Sequence, residues 1–219
     1  MQHSFKKYSV ITAAVLIVFT TGFIVGCTSK EQSTAGAQTA QHASAIMPNN
    51  LKGVHTFQST GSVDVAFSPA GGITNMIVSE LAKANKSIQI QAYSFTSPEI
   101  IKALIDAKKR GVDVRIIIDK SNVAGEDKDS PRSQKEKDLL RSIVDNGIPL
   151  KVDSDFQIAH SKIMIVDSTD VITGSFNFSY SAEHNNAENC LILHGNKQLA
   201  EEYMQNWQWR WDATENYSK

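Results

Sequence analysis

The chain has 219 residues, 41% hydrophobic and 21% charged, which is material for one globular core. Its 22 Lys and Arg stand against 23 Asp and Glu, a formal charge of −1, which excludes a uniformly basic nucleic-acid coat; any grip on a polyanion has to come from a local group of cations. Only two cysteines occur, Cys27 and Cys190, in dissimilar contexts that argue against a disulfide framework.

Lys6 and Lys7 precede an almost unbroken apolar run at 10–26, which ends in small residues before Cys27. That is the form of a secretory signal. Ile24-Val25-Gly26-Cys27 also resembles a bacterial lipobox, in which cleavage leaves Cys27 as an acylated N-terminus; soluble export and an uncleaved membrane anchor are the alternatives. Each places the remainder outside the cytoplasm, in a bacterial envelope or periplasm, and loss of both lysines would bring the charge to about −3. Residues 28–52 are Ser, Thr, Ala, Gln and Asn with few large apolar groups, the composition of a flexible tether. The expected division is therefore 1–27 signal or anchor, 28–52 tether, and 53–219 one folded domain.

Val63, Val65 and Phe67 mark a first strand, and Ile73, Met76, Ile77 and Leu81 an amphipathic helix after Gly71-Gly72. Ile88, Ile90 and Ala92 alternate with Gln89, Gln91 and Tyr93, and Ser97-Pro98 then starts a second helix that ends at Gly111. Lys108-Lys109-Arg110 in its last turn complements the helix dipole. Residues 112–118 are almost continuously apolar, as in a strand buried between helical layers. A polar loop over 121–131 leads to a third helix with Leu140, Ile143 and Val144 inward, and a short strand follows at 149–152. This order predicts an α/β fold with a mixed, mostly parallel sheet sandwiched between helices. Beyond residue 177 come a polar connection over 178–186, a strand over 187–194, and a helix whose Leu199, Tyr203, Trp207 and Trp211 form a core-facing stripe.

The segment from 160 to 188 reads HSKIMIVDSTDVITGSFNFSYSAEHNNAE, with the spacing HxKxxxxDxxxxxxGSxN. Side chains two apart on a strand share a face, so His160 and Lys162 point one way. Residues 163–166 and 171–173 flank a polar turn and read as a hairpin. A turn symmetric about Ser168 and Thr169 sets Lys162 opposite Ser175 and His160 opposite Asn177. Such a cluster of imidazole, ammonium, hydroxyl and amide, with no metal-ligand set, suits a phosphate diester: the imidazole attacks phosphorus and the cation and neutral donors stabilise its oxygens. Asp167 has the opposite strand parity and borders the turn, which assigns it a structural role. Gly174 implies close backbone approach.

These residues resemble the HKD motif of the phospholipase D superfamily, with every fixed position filled. Glu188, within Asn-Ala-Glu-Asn, resembles the acidic residue that orients the histidine in single-motif members. In size and layout the chain is most similar to the small bacterial nuclease of that superfamily, a resemblance that covers residue 61 to the C-terminus and implies a phospholipase D-like catalytic domain.

The resemblance implies a metal-independent, cofactor-free phosphodiesterase with a phosphohistidine intermediate on His160. Lys162, Ser175 and Asn177 would hold the phosphate. It also implies a homodimer, because one chain has one motif and the reaction needs two histidines sharing a site. The leading substrate is DNA or RNA, cut with low specificity; the alternatives are a phospholipase D on phosphatidylcholine or cardiolipin, and a non-catalytic envelope protein that binds polyanions or lipids.

Overall fold

The computed structural model describes residues 46–123 and 131–218. The expected signal or anchor with Cys27, most of the tether, and the Ser130 helix start lie outside the described residues. In chain order the elements are β1 (Val63–Ser68), α1 (Ile73–Lys83), β2 (Ser87–Ala92), α2 (Pro98–Lys109), β3 (Asp113–Asp119), α3 (Pro131–Asp145) and β4 (Leu150–Asp153). They continue as β5 (Lys162–Val166), β6 (Asp170–Gly174), α4 (Tyr180–His184), β7 (Glu188–Leu193), α5 (Lys197–Ala213) and β8 (Glu215–Asn216). No helix among the described residues is long and apolar enough to cross a membrane.

The strands form one mixed sheet in the order β1-β7-β6-β5-β2-β3-β4-β8. Parallel pairing is confined to β2 with β3 and β3 with β4, where α2 and α3 make the crossovers that parallel neighbours require. The other pairs are antiparallel, so the α/β class and the mixed sheet are as expected while the parallel part is limited to three strands.

Helices α1, α2 and α3 cover one face of the sheet. Ile73, Ile77 and Leu81 of α1 and Ile100 and Leu104 of α2 are fully buried there; each such side chain contributes about 1.5–3 kcal/mol. Ser97 caps α2 by accepting from Ile100 N. Arg110, at its far end, donates to Leu81 O and Ala84 O at the end of α1, which gives that cation a structural task. On the opposite face, α5 lays Ala200 and Trp207 over Ile117, Ile165 and Val171. Because β2 is covered on both faces, Gln89 and Gln91 are buried despite their polarity.

β1 departs from its expected orientation. Its Val63, Val65 and Phe67 are 52%, 54% and 63% exposed, while Ala66 packs inward. The register explains this: Val63 pairs Leu193 and Val65 pairs Leu191, on the sheet face that α5 covers, and α5 packs chiefly on β6, β5 and β2. The apolar row of β1 therefore extends a packed face past the end of its cover.

Candidate active site

His160 lies in the loop two residues ahead of β5 and is held from below by its neighbours. Asp119, buried at the end of β3, accepts from Ala159 N at 2.7 Å. Lys120 donates to Phe156 O at 2.8 Å. Arg210 of α5 is 1% exposed and grips the start of the same loop, with Nε and Nη2 on the Asp153 carboxylate at 2.9 and 2.8 Å and Nη2 on Asp155 at 2.9 Å. The guanidinium also stands 4.6 Å from the Phe156 ring centroid. A two-pronged, stacked contact of this kind fixes position as well as charge.

Tyr93, just past the end of β2, is the floor on which the motif gathers. The His160 ring lies 4.6 Å from the Tyr93 ring centroid to centroid, and Lys162 Nζ lies 5.1 Å from the same centroid. Lys162 is 7% exposed and donates to His160 O at 2.7 Å. Its burial pulls the ammonium pKa below the ordinary lysine value, and the negative charge of Glu188 works the other way. Tyr93 is itself fixed by Asn122, which donates to Tyr93 O and accepts from Phe95 N. Sequence reasoning passed over Tyr93 as the polar member of an alternating strand; its place one residue beyond β2, the strand paired with β5, was the available signal.

From the other side, Gly174 ends β6, and a Cβ there would stand 2.3 Å from Asn189 O. That close approach brings Ser175 onto β7. Its Oγ donates to Glu188 Oε2 at 2.6 Å and accepts from Asn189 N at 3.1 Å, while Asn186 Nδ2 donates to Glu188 Oε1 at 3.0 Å.

Asn177 is set by the strand-like bridge of Phe95 with Phe178, in which Thr96 N and Ser97 N both donate to Phe178 O. Asn177 lines a cavity of about 410 Å³, and its Oδ1 is shielded there without a hydrogen-bond partner among the described residues.

The hairpin register differs by one residue from the expected one. Val166 pairs Asp170 and Ile163 pairs Thr173, which brings Gly174, in place of Ser175, level with Lys162. The turn takes three residues because Asp167 and Ser168 both adopt positive φ, 51° and 57°. His160 is ahead of the strand, so neither pairing of His160 with Asn177 nor of Lys162 with Ser175 occurs. Glu188 was expected on the histidine ring; within one chain its carboxylate instead accepts from Ser175 and Asn186.

Asp167 sits at the far end of the hairpin. Its carboxylate accepts from Asn85 N at 2.9 Å, Lys86 N at 2.8 Å and Ser87 N at 2.9 Å, tying the turn to the entry of β2. At that same end His194 bridges Asp64 and Asp170 at 3.1 and 3.2 Å, with Glu80 at 3.9 Å. Cys190 is buried inside β7, and burial pushes its thiol up to about 12.

A family model described as "Cardiolipin synthase, PLD-like domain" matches residues 77–211. The chain is 42% identical to phospholipase D of Rickettsia prowazekii over 149 residues, covering 68% of this chain and 67% of that one. To phospholipase D of Rickettsia bellii it is 33% identical over 208 residues, 94% and 96% of the two chains. Among solved structures it is similar to Nuc, a phospholipase D family member from Salmonella typhimurium, with a TM-score of 0.66 and 42% identity over 72% of this chain and 99% of that one.

Proposed function

The chain belongs to the phospholipase D superfamily and is a phosphodiesterase of it; from that premise we propose that it is a metal-independent endonuclease of low specificity acting on DNA or RNA. The observation that carries the reading is the gathering of His160 and Lys162 on Tyr93, with Asn177 of the same motif lining a cavity with a polar rim. Ser94, Thr96, Ser179 and Asn186 line that cavity with Lys135 and the Glu136 carboxylate, and Leu139 is its one aliphatic residue among those described. Hydroxyl, amide and ammonium groups match a sugar-phosphate strand better than acyl chains.

In the proposed reaction a neutral ring nitrogen of His160 attacks phosphorus, forming an N–P bond as the P–O bond to the leaving group breaks. A second imidazole gives its proton to the leaving oxygen. That group then takes a proton from water, whose oxygen attacks phosphorus and breaks the N–P bond, returning His160. Lys162, Ser175 and the Asn177 amide stabilise charge on the non-bridging oxygens.

The second imidazole is the partner subunit's His160 in a twofold homodimer. Two observations support this: the chain has one motif, and the exposed apolar row of β1 runs up to the site at its Phe67 end, since Phe67 pairs Asn189, whose N–H donates to Ser175. One imidazole is neutral and the other protonated, so activity should follow a bell-shaped pH profile, and a monotonic profile would contradict the scheme. The Cys27 lipid or an uncleaved anchor would tether the enzyme to a bacterial membrane.

The relatives named phospholipase D favour a second reading, hydrolysis of phosphatidyl lipids. Full-length protein in detergent with excess chelator, beside His160→Ala, separates the two. Nicking of plasmid DNA by the parent alone supports the nuclease. Headgroup release from phosphatidylcholine or cardiolipin micelles with intact DNA replaces it, and activity that returns only with a divalent ion removes the metal-free chemistry.

A further inference from the structure

The polar connection after the motif contains a feature that the phosphodiester chemistry leaves unused. Ser179 caps a helical turn by accepting from Ala182 N, and α4 then places Tyr180 and His184 one turn apart on the same side. Their rings lie 4.1 Å apart, centroid to centroid, at 37°. Tyr180 is nonetheless 64% exposed, among the most exposed large side chains described. It stands three residues after Asn177 and lines the same 410 Å³ cavity, and it also lines a second hollow together with His184.

An aromatic ring braced on one face and open on the other, three residues from a phosphate-binding amide, has the form of a stacking platform. We propose that Tyr180, backed by His184, stacks an unpaired nucleobase next to the scissile phosphate, with the cavity between Tyr180 and Asn177 receiving the sugar. The subsite rests on the nuclease reading and deepens it to single-stranded nucleic acid. The cavity volume falls within the range of small-molecule sites, about 300–1,000 Å³. Lys135 and the Thr96 and Ser94 hydroxyls at its rim suit a ribose and the adjoining phosphate, and the Glu136 carboxylate in the same lining can accept from a sugar hydroxyl. Stacking needs a base that has left its helix, because the faces of paired bases are covered by their neighbours. A stacked base is held by its π-face alone, so the subsite sets strand form and leaves base identity open.

The test uses the full-length protein in detergent with one oligonucleotide supplied single-stranded, as a duplex, and as an abasic analogue of the same length. The parent should cut the single strand faster than the duplex. Tyr180→Ala should lower kcat/KM on the single strand by about ten-fold or more, mainly through KM. Tyr180→Phe should restore it, and the alanine variant should lose far less on the abasic oligomer. In a His160→Ala background, 2-aminopurine beside the phosphate should be quenched on binding, and the added Tyr180→Ala should remove the quench. A parent that cuts DNA while Tyr180→Ala matches it, or loses equally on the abasic strand, overturns the subsite and leaves the nuclease standing. A parent that spares every oligonucleotide and releases lipid headgroups overturns the nuclease itself.

Discussion

Replacing Asp167 by alanine should cost stability and spare the chemistry. The carboxylate accepts three backbone N–H groups, of Asn85, Lys86 and Ser87, each at 2.8–2.9 Å. A hydrogen bond to a charged group is worth about 1.5–3 kcal/mol, but Asn85 and Lys86 are exposed and water can replace their partner. Counting the Ser87 bond near 1.5 kcal/mol and the other two near 0.5 kcal/mol each gives about 2.5 kcal/mol. Alanine at φ 51° adds about 1 kcal/mol that aspartate largely avoids. The sum, about 3.5 kcal/mol, corresponds to a fall in Tm of about 7–14 °C for a domain of this size. Asparagine tolerates the same φ and keeps one acceptor, so Asp167→Asn should lose about half as much. Thermal and urea unfolding, followed by the fluorescence of Trp207, Trp209 and Trp211, reads the loss, and turnover per folded molecule at a temperature well below both transitions should be unchanged.

The pH dependence gives the same prediction a second edge. Burial alone would raise the Asp167 carboxyl, yet the hydrogen bonds from Ser87, Asn85 and Lys86 and the charge of Lys86 hold it below the ordinary aspartate value. A carboxyl lowered by folding stabilises fully above its unfolded pKa and ceases to do so as pH falls through its folded one. The gap between parent and Asp167→Ala should therefore be full at neutral pH and narrow in acid toward the about 1 kcal/mol that the positive φ costs alanine. Unchanged stability together with lost turnover would refute the structural role and move Asp167 into the reaction.

Arg210→Met leaves Asp153 fully buried and unpaired, which should cost about 3–5 kcal/mol in urea unfolding and lower turnover as well, because the loop it grips leads to His160. Gly174→Ala drives a Cβ into Asn189 O, and the displacement of Ser175 should cut kcat/KM by about 100-fold in a protein that still folds. His194 titrates among Asp64, Asp170 and Glu80, with Lys83 on the far side of Glu80. Burial would lower its pKa, but hydrogen bonds to Asp64 and Asp170 and the neighbouring charges raise it overall. Its contribution is thus full below the unfolded histidine pKa and lost as pH rises through the folded one, so His194→Gln should destabilise at pH 6 and converge with the parent in mild alkali.

Period and spacing carried most of the fold. Ile73, Ile77 and Leu81 announced α1, the apolar run of β3 announced a strand covered on both faces, and the HxK spacing pointed His160 and Lys162 to one place, the Tyr93 ring, although His160 is off the strand. What escaped depends on geometry that residue type does not encode. Positive φ at both Asp167 and Ser168 lengthened a turn and moved the hairpin register by one. The apolar alternation of β1 marked a strand correctly, yet only the reach of α5 decided that Val63, Val65 and Phe67 stay in water. Tyr93 and Arg210 act on the site from 67 or fewer residues away in sequence, through tertiary contacts that no local pattern reports. α4 hid in a polar stretch because its signal is one serine cap.

The grip of Arg210 on Asp153 also carries a consequence for the order of events during synthesis. A ribosome delivers the motif some fifty residues before the side chain that clamps its approach, and Tyr217 N donates to Leu150 O still later. Until that last helix has emerged, the strands around β5 can pair but the loop bearing His160 lacks the guanidinium grip at its start. Competence therefore waits on the emergence of α5, and a chain interrupted before Arg210 that already carries every motif residue is predicted to be inactive.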